Sequence, residues 1–394
     1  MQKVNSNILW LPSWYPSKLN QYNGDFIQRQ AIALSQLNSL TVVYIVRDKF
    51  QTVTNSVKIE NNESSNLKET IIYYSIPAFV PKFLEGIYSF WMFRKLYRHY
   101  FKKLFIGGLP STVHVHVAYK AGLIALWIKR NYGIPYYVSE HWSGYSKSRM
   151  GNYFTSSLVN QNLIKKILRA AKLVIPVSID LGNQIKYIVP TVKIKVIPNV
   201  VDENLFYYKP NQSSSFKFIH YTSKDTEAKN TIGLLETLSD LKCIRKDWSC
   251  VIYGPAEPVL IEFVEKNNLQ QHIKFTGEIQ YAAVAEIVRE ASAFISFSNY
   301  ENQPCSILEA LCCGVPVIAT KVGGIPEIVE LRNGILIDAK NEIQLVEALK
   351  SMLEDYNRFD RQQIATEAIN KYSYPIIAKK LLALYSEYHP ISSS

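Results

Sequence analysis

Two glutamates, Glu301 and Glu309, stand eight residues apart in the stretch NYENQPCSILEAL, Asn299 to Leu311. A carboxylate is costly to bury without a partner, yet the flanks, SAFISFS (292–298) and CCGVPVIAT (312–320), read as interior strands. Pro304 suits the first turn of a helix, where no N–H is needed, and Gly314 suits its end. The pattern predicts a helix running to Cys313, with Glu301 on the strand-to-helix loop and Glu309 inside the helix. The N–H groups near Cys305 and Ser306 would then open that helix, a site suited to a phosphate. Carboxylate oxygens suit a hydroxyl-rich partner such as a sugar. Two solvated glutamates on a helix face are the plainer alternative.

The neighbouring segments carry the same chemistry. KVGGIPEIV (321–329) repeats the device, with two glycines and then Pro326 at a second expected helix start offering unpaired N–H groups. HYTSKDTEAKN (220–230) follows a strand and places Lys224 and Lys229 before another helix. Lysines in such a loop are often only solvated. Aimed at the place where two helices begin, they would form a cradle for a diphosphate.

Strands must alternate with helices to hold these loops. NILWL (7–11), LTVVYIV (40–46), TVHVHV (112–117), PYYVSE (135–140) and LVIPVS (173–178) read as strands of the first half, with a helix from about Asp25 to Leu37. FKFIHYT (216–222), WSCVIYG (248–254), IKFTG (273–277), AFISFS (293–298), PVIAT (316–320) and GILI (334–337) are six more. The alternation predicts parallel, doubly wound sheets, and 394 residues suit two domains better than one core. The boundary falls near VIPNVVDENLF (196–206): residues 1–200 form one domain and 201–373 the other. The segment from about 374 to 394 has apolar residues at helical spacing and is expected to pack back on the first domain.

Together these segments resemble the retaining family 4 glycosyltransferases of the GT-B fold. ENQPCSILE is an E-x7-E motif, and EALCCGVPVIATKVGGIPEIV continues it as in that family. WYPSKLNQYNGDFIQRQAIAL resembles the family's opening strand and glycine loop, VHVHV its His-x-His strand end, SEHWSG (139–144) its acceptor segment, and VIPNVVD its linker. The resemblance spans nearly the whole chain. It implies two Rossmann-like domains facing a cleft, the second binding a nucleotide-diphospho-sugar donor and the first a glycan or lipid-linked acceptor. In that frame Glu309 holds the ribose hydroxyls, Glu301 contacts the donor sugar, and Gly24 lies beside the diphosphate. Lys229 matches the family's phosphate lysine, His141 sits near the acceptor, and Asn302 lies where donor selectivity is set. Lys224 departs from the pattern, because many relatives carry an arginine there, and lysine lacks the bidentate fork. UDP is the expected nucleotide and a GDP-sugar remains open. Without an Asp-x-Asp motif, no metal or cofactor is expected. A nucleotide-sugar epimerase and a catalytically silent nucleotide-sugar-binding partner are the alternatives.

Charge is unevenly divided. Residues 1–200 hold 25 Lys and Arg against 8 Asp and Glu, a balance of +17, whereas the rest of the chain holds 19 against 25, or −6. The basic half suggests nucleic acid, anionic lipid or a phosphorylated substrate. Nucleic acid is disfavoured, because no recognition motif is present and the acidic half would repel a polyanion. In FLEGIYSFWMFRKLYRHYFKKLF (83–105), helical spacing groups Phe90, Phe93, Tyr97, Phe101 and Leu104 on one arc and Arg94, Lys95, Arg98, Lys102 and Lys103 on another. This reads either as a core helix with a solvated basic face or as an interfacial helix on anionic lipid. Lys165, Lys166, Arg169 and Lys172 add to the positive field. No run is long enough to span a bilayer, MQKVNSNILWLPSWYP does not read as a signal peptide, and the five cysteines form no CxxC pair. A cytoplasmic protein, peripheral on the inner membrane face, is the expectation.

Overall fold

A computed structural model describes residues 7–106, 108–210 and 215–388. The chain forms two compact units. The N-terminal unit comprises residues up to Val177, Gly182–Ile197 and the chain from Ile377, while the C-terminal unit comprises Ser178–Leu181 and Pro198–Ile376.

The N-terminal unit is built on seven strands: β1 (Ile8–Pro12), β2 (Leu40–Arg47), β3 (Val57–Ser64), β4 (Leu67–Tyr74), β5 (Thr112–His116), β6 (Tyr136–Glu140) and β7 (Leu173–Pro176). Their order is β3-β4-β2-β1-β5-β6-β7. All neighbours are parallel except the β3–β4 hairpin. The central strands are buried on both faces, which is why they read as unbroken apolar runs. The hairpin was not expected from the sequence. Its outer strand, VKIENNES, is exposed along nearly its whole length, and polar residues on an edge discourage pairing with another chain. Such a strand carries no apolar alternation to read.

The C-terminal unit holds β8 (Phe216–Tyr221), β9 (Trp248–Tyr253), β10 (Ile273–Gly277), β11 (Ala293–Ser296), β12 (Val317–Thr320) and β13 (Gly334–Ile337). They form an all-parallel sheet in the order β10-β9-β8-β11-β12-β13. Both sheets therefore start near the middle, grow to one side, and then resume on the other. The reversal falls between β1 and β5 in one unit and between β8 and β11 in the other. At such a point the loops leaving adjacent strands diverge and open a crevice at the carboxyl ends.

Two expected helices differ in character. Ile325–Glu327 is a single 3-10 turn rather than a helix start, and Gly324 donates its N–H to Asn302 O at 2.8 Å. That amide is spent on holding the chain. In the helix Glu85–Leu104 the arc of Phe93, Tyr97 and Phe101 is buried in the unit's own core, and Tyr97 donates its hydroxyl to Val43 O at 3.0 Å. This face belongs to the fold and is closed to lipid, whereas Leu104 at the helix end is exposed.

The last helix, Tyr374–Tyr388, packs with the N-terminal unit from Ile377 onward. Its buried Tyr385 hydroxyl lies 2.5 Å from His114 Nδ1, and its ring meets that of Tyr137. The expected stretch beyond residue 388 lies outside the described residues. Replacing Tyr385 by Phe strands one nitrogen of a fully buried imidazole. The expected loss is about 1–3 kcal/mol of stability, read from urea unfolding.

Candidate active site

Both loops at the β8/β11 reversal converge on one ion pair. After β8 the chain makes a short helical turn, Thr226–Lys229, capped by Asp225, whose side chain accepts from the Ala228 N–H at 3.1 Å. After β11 the loop 297–302 runs alongside it. Asn299 donates its N–H to Ala228 O at 2.8 Å and its side-chain amide to Glu227 O at 2.7 Å. Tyr300 donates its hydroxyl to Asp225 at 2.8 Å. Stitched in this way, the two loops bring Lys229 Nζ onto Glu301 Oε1. The pair is only 12% and 14% exposed. Ser298 also donates to Glu301, at 3.3 Å, and the Lys229 ammonium lies 5.2 Å over the Tyr221 ring.

The helix Cys305–Cys312 starts directly after this loop, with Pro304 at its cap position and a left-handed Gly314 just beyond its end. Cys305 and Ser306 therefore occupy its first turn, where N–H groups lack an acceptor within the helix. Glu309 is buried within the helix, and the Tyr281 hydroxyl donates to its Oε1 at 2.9 Å. Buried Asn302 is gripped through its backbone by Gly324. The glycine pair explains the close approach: a Cβ on Gly323 would lie 1.7 Å from Glu301 O, and one on Gly324 would lie 2.2 Å from Asn302 O. From the other side Asn199, in the VIPNVVD segment, receives Gln303 Oε1 on its N–H at 2.7 Å and donates its amide to Gln303 O at 2.9 Å. Lys224 stands apart. Its ammonium is 3.8 Å from Glu278 and its side chain is 80% exposed.

Gly24 and His141 lie in the N-terminal unit, on loops leaving β1 and β6. Gly24 has φ +71°, and a Cβ there would strike the Trp14 backbone at 2.6 Å, so glycine is required. The next residue but one, Phe26, packs its ring 4.8 Å from that of His141. His116 lies 6.0 Å from His141 with the two rings nearly parallel, stacks on His114 at 4.5 Å and meets the tilted Trp10 ring at 4.0 Å. Burial, followed by the nearby imidazoles, drives His116 well below its usual pKa, and burial pushes His114 down to about 3. Both rings are neutral at pH 7.

Glu140 organises this edge, and the sequence reading missed it. It is fully buried, and burial raises its pKa. It accepts N–H groups from Ala118 at 3.0 Å and from His141 and Trp142 at 3.2 Å, and the Tyr145 hydroxyl at 3.0 Å. It thus ties the loop after β5 to the loop after β6. Val117, on the first of these loops, has φ +66°. A β-branched residue there is strained, and such strain persists where surrounding contacts over-determine it. Ser13 and Glu140 supply those contacts. A carboxylate that ends a buried strand carries no flag in the sequence. Asp225, by contrast, could have been read from its place three residues before Ala228.

Comparison with known proteins bears on this geometry. The model of the Glycosyltransferase Family 4 matches residues 51–205, and that of the Glycosyl transferases group 1 matches residues 208–371. The chain belongs to the family 4, group 1 glycosyltransferases. An uncharacterized glycosyltransferase of Methanocaldococcus jannaschii is 26% identical over 62% of this chain and 66% of its own length. The putative teichuronic acid biosynthesis glycosyltransferase TuaC of Bacillus subtilis is 23% identical over 98% of this chain and 99% of its own. Among solved structures, HepE of Anabaena, in complex with UDP and glucose, superposes with a TM-score of 0.72 at 16% identity, covering 97% of this chain and 100% of that one. The fold is GT-B.

Two outcomes follow for this glycosyltransferase. Gly323→Ala is both strained and obstructed at the Glu301 carbonyl. It is expected to cost more than about 1 kcal/mol, measured by denaturant unfolding. The neutral buried histidines bind protons only once unfolded, at an ordinary pKa of about 6.5. Their stabilisation is therefore present above pH 6.5 and is lost progressively as pH falls below it, by up to about 1.4 kcal/mol per pH unit for each. His220 in the other unit, pushed down to about 4 by burial, adds the same sign, and the raised Glu140 carboxyl opposes it. Thermal unfolding at pH 7 and pH 5 checks this: a His114→Gln/His116→Gln variant should lose less stability between the two than the native chain.

Proposed function

We propose that the chain is a retaining glycosyltransferase that moves a sugar from a nucleotide-diphospho-sugar, with UDP as nucleotide, to a hydroxyl of a glycan or lipid-linked acceptor. The observation that carries this reading is the Lys229–Glu301 pair at the β8/β11 reversal, beside the first turn of the helix Cys305–Cys312. The pair puts a cation and a hydroxyl acceptor within one contact of each other. A diphosphate entering there meets Lys229 and the amides of Cys305 and Ser306. Glu301, released from Lys229, accepts from hydroxyls of the transferred sugar. Glu309, to which the Tyr281 hydroxyl donates, accepts from the ribose hydroxyls.

In the transfer, the bond from the anomeric carbon to the phosphate oxygen breaks as the bond to the acceptor oxygen forms on the same face. The acceptor proton passes to the departing phosphate. Charge growing on the diphosphate is met by Lys229 and the helix amides, groups already oriented before reaction. No metal or cofactor is assigned a part. His141, packed against Phe26 and stacked with His116, faces the acceptor and orients its hydroxyl. Lys224 supplies long-range charge rather than a direct contact. HepE, bound to UDP and glucose, and TuaC, named for teichuronic acid biosynthesis, support UDP as nucleotide and a role in surface polysaccharide or glycoconjugate assembly. The reading includes a cytoplasmic location against the inner membrane face.

Calorimetry with UDP, GDP and their sugars, in EDTA, tests the donor assignment. Glu309→Ala removes a charged acceptor and should weaken binding by about 1.5–3 kcal/mol, roughly ten- to a hundredfold. Equal affinity of the variant would remove Glu309 from the site. Turnover of donor to an isomeric nucleotide sugar without acceptor would replace transfer by epimerisation. Binding with no turnover on any acceptor would leave a silent binding partner.

A further inference from the structure

The carboxyl ends of β2 and β4 meet in a tightly built edge. Asp48 donates its N–H to Tyr74 O at 2.8 Å, and the Ser75 hydroxyl donates to Asp48 O at 2.9 Å and to Thr54 O at 2.7 Å. The Asp48 carboxylate accepts the N–H groups of Thr52, Val53 and Thr54 at 2.6–3.1 Å. The loop it pins is thus rigid, yet its tip is Phe50, 87% exposed. A second segment leaves β4 and leads to the helix Glu85–Leu104, which is anchored to this edge by Arg47–Glu85 at 2.5 Å and by the Tyr74 hydroxyl at Ser89. Along it Phe79 is 82% exposed, Phe83 81%, Ile87 69% and Trp91 50%. Ordered loops and a helix hold five large apolar side chains largely in water, Trp91 with one face toward the neighbouring Tyr88 ring at 5.7 Å.

Charge accompanies them in a fixed pattern. Phe83, Ile87, Trp91 and Lys95 follow one another at four-residue spacing, so one outward stripe is apolar in its first turns and cationic thereafter, continuing to exposed Lys102, while Arg98 turns back over the Trp127 ring at 5.4 Å. Lys95 Nζ lies 4.8 Å over the Trp91 ring. Glu85, the helix's only acid, is already paired with Arg47. Desolvation, and then the charges of Lys49 and Arg47, hold the Lys120 ammonium below its usual range, a sign of cations gathered at the same edge. Aromatic rings beside lysines suit the boundary between headgroups and acyl chains, where the apolar body is buried and the charge meets phosphate. An acidic protein partner would satisfy the cations but leave the outermost rings in water.

We propose that this edge seats the N-terminal unit on an anionic lipid bilayer, with Phe50, Phe79, Phe83, Ile87 and Trp91 entering the interface and Lys49, Lys82, Lys95 and Lys102 facing the headgroup phosphates. The surface differs from the arc that sequence spacing groups together, because Phe93, Tyr97 and Phe101 are used by the core. Its purpose, bringing a lipid-linked acceptor to the enzyme, rests on the function proposed above, but its existence does not.

Co-sedimentation of the full chain with vesicles of phosphatidylcholine, alone and mixed with phosphatidylglycerol, is the test. The native chain should bind the anionic vesicles at least roughly tenfold more tightly, less so at high salt. Phe83→Ser/Ile87→Ser/Trp91→Ser should lose roughly tenfold or more at every salt concentration. These positions are exposed, so folding, checked by circular dichroism, is retained. Lys95→Gln/Lys102→Gln should lose the preference for anionic vesicles, whereas Lys165→Gln/Lys166→Gln, an equal loss of charge on the helix Leu158–Ala170, should not. Unchanged binding by the triple variant would overturn the proposal, as would equal effects of the two lysine pairs. A dimer in size-exclusion chromatography that the triple variant abolishes would assign the patch to a second copy instead. Glu309→Ala should bind vesicles like the native chain, so a failed donor assignment and a failed membrane surface give different results.

Discussion

The reversal of strand order in the C-terminal sheet is the constraint on which the rest of the structure depends. Because β8 and β11 are adjacent but far apart in sequence, the loops leaving them must meet across a gap that no crossover helix covers. Lys229 and Glu301 fill it. A pair this buried is a poor device for stability alone, since desolvating both charges offsets most of their attraction. On the proposed reading, its worth lies in readiness. The cation is held by a capped turn and only slightly exposed, and an entering anion need only displace one carboxylate.

The supporting residues make sense in that light. Asp225, Asn299 and Tyr300 fix the two loops to each other, and Gly323 and Gly324 let a third loop pass within contact of the Glu301 and Asn302 carbonyls. Asn199 braces Gln303 from the linker side. Each acts on the backbone rather than on a ligand, which limits how far Glu301 can wander. On the proposed reading Glu301 stands at a reacting centre, where positional precision is worth orders of magnitude in rate, and backbone stitching supplies it without adding further charge.

Much of this was legible in the sequence. Parallel strands buried on both faces read as apolar runs, and proline and glycine marked the ends of the helix Cys305–Cys312. The spacing of Glu301 and Glu309 then placed one on a loop and one inside a helix. The features missed share a physical cause. The strand Val57–Ser64 is an exposed edge and shows no apolar period, and Glu140 is a lone carboxylate whose donors, three from its own loop and one from the loop after β5, follow no motif. The helix Glu85–Leu104 was legible as amphipathic, but its geometry alone could not say which apolar arc the fold would claim. The core took Phe93, Tyr97 and Phe101 and left Ile87 and Trp91 outside. The turn at Ile325–Glu327 likewise reads as a helix start until Asn302 takes the Gly324 amide.

The two units solve the same topological problem with opposite electrostatics. At the β8/β11 reversal the protein places a full ion pair, suited to a ligand whose charge grows as a bond breaks. At the β1/β5 reversal it places neutral, stacked imidazoles, a strained Val117 and a carboxylate whose pKa burial raises. A hydroxyl acceptor carries no net charge, so no ion pair is needed to hold it. Uncharged rings held by Trp10 and Phe26 instead give a dry, shaped surface, and the fixed loop ends of Glu140 set its outline. On the proposed reading, charge is concentrated where the donor's diphosphate departs and withheld where the acceptor waits. The excess of cations in the N-terminal half is then free to lie on the outside, along Lys82, Lys95 and Lys102.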